Sequence, residues 1–110
     1  MPDIDESALA AILDRMWATY LPQMHERVDT LAAAAQAVAA GSLSPAQQEE
    51  AQSAAHKLSG VLGTFGLNSG TELARELEQI YTHPIDPGPG LAAKLASTAT
   101  EIRQIIRSRK

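Results

Sequence analysis

Apolar residues in this chain recur at intervals of three and four from Leu9 to Ile106, and glycine and proline interrupt them most clearly at residues 41 to 45, 66 to 70 and 83 to 90. Such spacing lays one apolar stripe along an α-helix, and the interruptions cut the stripe into rods joined by short connections. Each rod can bury its stripe only against the others. The pattern therefore predicts an all-α chain, an antiparallel up-down four-helix bundle with an additional N-terminal helix or a kinked first helix.

The extra element comes from Pro22. A first apolar face, Leu9, Ile12, Leu13, Met16, Trp17 and Tyr20, begins near Asp5 to Ser7. Proline lacks an N–H and restricts the residue before it, so a break or kink is expected at Leu21. Residues 22 to 40 then turn Met24, Val28, Leu31, Ala35 and Val38 inward, with Gly41 placed to end the helix. Ser44, Pro45 and Gln47 read as a capping box with proline at the first helical position. The helix they open carries Ala51, Ala54, Ala55, Leu58, Leu62 and Phe65 inward and ends at Gly66. Ser69 with Glu72 reads as a second capping box, for a helix that buries Leu73, Leu77, Ile80 and Tyr81 and stops near Thr82. After the loop HPIDPGPG, a last helix from about Pro89 presents Leu91, Leu95, Ala99, Ile102 and Ile106.

Length and charge limit what such a bundle can do. At 110 residues the chain fits a single domain, residues 1–110, with one core. A formal net charge of −4 disfavours nucleic acid and anionic lipid as partners. There is no cysteine, no apolar run of membrane-spanning length and no signal-peptide pattern in the acidic start, so the expected setting is the cytoplasm. Arg103, Arg107, Arg109 and Lys110 cluster at the C-terminus, where they read as a solvated helix end that complements the macrodipole.

The segment AHKLSGVLGTFGL, residues 55 to 67, stands apart. On a helical projection His56 lies about 140° from the centre of the buried stripe, facing water, with Gly60 and Gly63 at about 180° and 120°. Interior helix glycine costs up to about 1 kcal/mol relative to alanine, so two beside one exposed histidine point to close approach by another molecule. A neutral imidazole is nucleophilic and suits acceptance of a phosphoryl group, with Lys57, Ser59 and Gln52 as neighbouring donors to its oxygens. The alternative from the residues alone is an ordinary surface histidine next to a fraying helix end.

This segment, followed by ELARELE, resembles the signature of histidine-containing phosphotransfer (HPt) domains: His56, Leu58 two residues on, Gly60 four on, Gly66 ten on, then a leucine-rich helix ending in Leu77 and Glu78. The resemblance implies a monomeric bundle, of a kind that also serves as one module of a longer signalling protein, that relays phosphate on His56 to and from the aspartate of a response-regulator or hybrid-kinase receiver domain. It implies no ATP site, no turnover and no cofactor of its own, the Mg²⁺ belonging to the receiver. In that reading Gly60 and Gly63 give the partner access, while Lys57, Ser59 and Gln52 support the phosphate. One departure is Ser59 at the position where many members carry lysine.

Other candidates weigh less. His25 and Asp29 have the spacing of two metal ligands on a helix, yet two ligands make no site. Glu72, Glu76 and Glu78 around Arg75 read as a solvated face. The aromatic residues suit core or bundle-end packing. The rival functions are a phosphorylation-independent interaction module of the same fold and a metal-dependent hydrolase built on His25 or His56.

Overall fold

The computed structural model describes residues 6–86 and 89–109. It contains four helices: α1 (Glu6–Ala39), α2 (Pro45–Thr64), α3 (Asn68–Thr82) and α4 (Pro89–Ser108). They run up, down, up and down, each packed on the next, with α4 returning against α1. Asp5, the loop residues Pro87 and Gly88, and Lys110 of the basic terminus lie outside the described residues.

Of the break or kink expected at Leu21, the break does not occur, and α1 continues through Pro22 for 34 residues. An interior proline removes a single backbone hydrogen bond at a cost of about 3 kcal/mol. Trp17, Met24, Val28 and Leu31, on either side of it, are all buried along one face. Burial of each such side chain is worth roughly 1.5–3 kcal/mol, so the face outweighs the proline.

Both α1 and α2 end as their glycines direct. Gly41 has φ +67° and Gly66 φ +73°, the left-handed region in which only glycine is unstrained. At each, the glycine N–H and the next N–H turn back to helix carbonyls: Gly41 to Val38 and Ser42 to Ala37, Gly66 to Gly63 and Leu67 to Leu62. These are Schellman closures. The Ser44–Gln47 capping box is present in both directions. The Ser69–Glu72 box is not: α3 starts at Asn68, with Leu67 at the cap position and no side-chain capping bond. Leu67 is already tied to α2 and packed on the core, so the tight connection sets the start of α3 before Ser69 is reached.

The core joins Met24, Val28, Leu31 and Val38 of α1 to Leu58 and Leu62 of α2, Leu77 and Tyr81 of α3, and Leu95, Ile102 and Ile106 of α4. Phe65 and Trp17 meet edge to face, 5.1 Å between ring centroids, at one end of the bundle. Arg109 lies over both rings, 4.8 Å from Trp17 and 5.2 Å from Phe65, and donates to Asp14 at 3.2 Å. Arg103 reaches Asp29 and, at 3.0 Å, His25 Nδ1. These two arginines therefore fasten the C-terminal end of the chain to α1, rather than forming part of a solvated end, and Arg103 occupies the His25–Asp29 pair. Because Asp14 and Trp17 lie level with the ends of α4 and α2, the first two turns of α1 project past their neighbours. Of the expected first face, Leu9 and Ile12 accordingly stay exposed and Leu13 is half-buried; Met16 and Tyr20, level with the bundle, are exposed beside α2, while Trp17 is buried.

Candidate functional site

His56 sits in the middle of α2, opposite the stripe formed by Ala51, Ala54, Ala55, Leu58 and Leu62. Its side chain is 72% exposed. The ring is not loose, because Nδ1 lies 2.9 Å from Oε2 of Glu78 on α3. A carboxylate can only accept, so Nδ1 carries the hydrogen and, in the neutral ring, Nε2 keeps its lone pair. Among the described residues Nε2 makes no hydrogen bond. Glu78 was grouped at the sequence level with a solvated face; instead it reaches across to α2, as Glu76 reaches across to Lys94 of α4 at 2.7 Å. The signal for Glu78 was present in its position at the end of the Leu-Glu signature, but its partner is 22 residues away and local spacing gives no pairing.

The other expected site residues separate into distinct positions. Gly60, one turn beyond His56, is exposed, and a methyl group placed there would meet nothing within 4 Å. Gly63 is exposed, but its Cβ position faces α3, 3.4 Å from the Thr71 hydroxyl. The open space beside the ring is thus at Gly60. Gln52 is half-buried one turn before His56, and Lys57 is exposed and lines the space between α2 and α1. Ser59 is turned inward: it is buried, and its hydroxyl donates to the His56 carbonyl at 2.7 Å. The Thr71 hydroxyl in turn donates to the Ser59 carbonyl at 3.3 Å, binding α3 to α2 directly beneath the histidine.

Along the other side of α2, a groove of about 490 Å³ separates it from α1. Met16, Tyr20, Val61 and Phe65 give it apolar walls, Gly60 opens it towards His56, and Arg27 and Lys57 stand at its edge. A protein surface laid into this groove would cover the imidazole's neighbourhood without meeting a side chain at position 60.

Among the described residues no group of three or more histidine, cysteine, aspartate or glutamate side chains is arranged to hold a metal. No helix among them is long and apolar enough to cross a membrane. The arrangement is that of an exposed nucleophilic nitrogen, aligned from behind and approachable from one side.

The Hpt domain family model matches residues 15–107. The protein RcaC of Microchaete diplosiphon is 35% identical over 78 residues, which is 71% of this chain and 12% of that protein. The chain thus spans about an eighth of that relative's length. No solved structure matches.

Proposed function

We propose, because this chain belongs to the Hpt domain family, that it is a phosphorelay intermediate in which His56 accepts a phosphoryl group from the aspartate of a receiver domain and donates it to another. The observation that carries this reading is the His56 ring, 72% exposed and held through Nδ1 by Glu78.

In the transfer, the Nε2 lone pair attacks phosphorus as the acyl-oxygen bond to phosphorus breaks, and the departing electron pair returns to the partner's aspartate as carboxylate. The new N–P bond makes the ring cationic, with its proton still on Nδ1. Glu78 stabilises that charge as it develops, because the two groups face each other across a single hydrogen bond. Reversal regenerates the neutral imidazole. The Mg²⁺ that assists aspartyl phosphate chemistry belongs to the receiver. Lys57 and Gln52 steady the phosphoryl oxygens, whereas Ser59 holds the backbone beneath His56. Gly60 and the apolar groove beside it take the receiver surface.

The test is incubation of the chain with a panel of phosphorylated receiver domains. Label should move to the chain, be lost in acid, persist in base, and vanish in the His56→Gln variant. Stable binding to receivers with no label on His56 would make the chain a phosphorylation-independent interaction module. Label that survives His56→Gln would place the acceptor elsewhere.

A further inference from the structure

The groove beside His56 carries two cations, Arg27 and Lys57, and no carboxylate. That is notable in a chain of net charge −4, where four of the described basic or imidazole side chains, His56, Lys94, Arg103 and Arg109, are matched to acids. Arg27 has no such match: it makes no ion pair among the described residues, although it is half-buried. A neighbouring cavity of about 520 Å³ continues past it along the same two helices, and there Glu49 and Glu50 restore the acidic character. Arg27 and Lys57 line both spaces, so they mark the divide between an apolar cationic groove and a mixed-charge one, level with the histidine.

We infer that Arg27 is a docking cation for an acidic partner: it receives a carboxylate from the protein surface that settles into the Met16–Tyr20–Val61–Phe65 groove. The inference rests on the relay reading proposed above. Charge complementarity argues for it. Aspartyl phosphate chemistry assisted by Mg²⁺ demands carboxylates around the partner's reacting aspartate, and a chain of net charge −4 would repel such a surface. One guanidinium with no ion pair among the described residues, placed beside the apolar wall next to the reacting ring, offsets that repulsion locally and can grip a carboxylate through two parallel N–H donors. Lys57, next to His56 in sequence, remains available to the phosphoryl group. Arg27 lies on the facing helix and acts on the partner, which makes it a positioning residue and a determinant of which receivers dock.

The experiment uses the receiver that takes label fastest from phosphorylated wild-type chain. Transfer kinetics are measured for wild type, Arg27→Glu and Arg27→Lys, with folding of each variant checked by circular dichroism. Arg27→Glu should raise KM, the receiver concentration for half-maximal single-turnover transfer, about five- to tenfold at about 50 mM salt, with kcat, the saturating transfer rate, little changed, and the difference should shrink towards unity at about 0.5 M salt as screening takes over. Arg27→Lys should retain most of the wild-type KM at low salt. Equal KM for wild type and Arg27→Glu in both salts overturns the docking role while leaving the relay intact. A loss confined to kcat, or one insensitive to salt, overturns it as well, because Arg27 would then act on the phosphoryl group or on the fold. If wild type transfers to no receiver, the relay reading itself fails, and that failure is visible before any variant is compared.

Discussion

The hydrogen bond from His56 to Glu78 makes the chemistry of one ring depend on a carboxylate 22 residues away in the chain. Glu78→Ala should release both the tautomer and the orientation of the ring, slowing label uptake on the order of tenfold, the scale on which orienting partners of functional histidines act. Glu78→Gln keeps an acceptor for Nδ1–H but loses the charge, so its rate should fall between the two. Ring-nitrogen NMR shifts would show the tautomer mixture directly, which a purely structural role for Glu78 would leave unmoved. Gly60 gives a prediction of opposite sign for stability and function. Alanine there meets open space, so Gly60→Ala should stabilise the helix by about 0.5–1 kcal/mol in denaturant titration while slowing transfer to a receiver. His56 and Gly60 were both legible in the sequence, because exposure and clearance follow from a single helix. Glu78 and the inward turn of Ser59 were not, since each depends on how α3 lies against α2.

At the scale of elements, the same division between local and distant causes recurs. The Ser44–Gln47 box is complete within four residues, and the sequence was sufficient to find it. Ser44→Ala should cost about 0.5–2 kcal/mol in thermal or denaturant unfolding, with transfer preserved in the folded fraction. The Ser69–Glu72 pair matched the same pattern equally well, yet Leu67, fixed to the end of α2, preempted it. Pro22 taught the converse lesson: a strong local signal for a break was overridden by the buried residues on both sides of it. The C-terminal arginines followed suit, since Asp14 and Asp29, their partners, are on the helix farthest away in sequence.

For the whole molecule, a buried phenol ties stability to pH. Tyr81 is 1% exposed, its hydroxyl has no hydrogen-bond partner among the described residues, and burial pushes its pKa up from 10.0 to about 12. Above pH 10 the unfolded chain loses the phenolic proton while the folded chain keeps it, so deprotonation favours unfolding. The contribution of Tyr81 to stability is intact below pH 10 and should fall by about 1.4 kcal/mol per pH unit from there until about 12, where the folded state also titrates. Tyr81→Phe should remove that decline and, with no hydrogen bond to lose, raise stability near neutrality by up to about 1 kcal/mol in denaturant titration.

The reacting ring and the carboxylate behind it belong to different helices, and this makes assembly and reactivity one measurement. A slip of α3 along α2 by a single turn, about 5.4 Å, would carry Glu78 out of reach of Nδ1. A misregistered bundle would therefore present an unaligned imidazole and, on the relay reading proposed above, take up label on the order of tenfold more slowly, so the register of two helices would be legible in a rate.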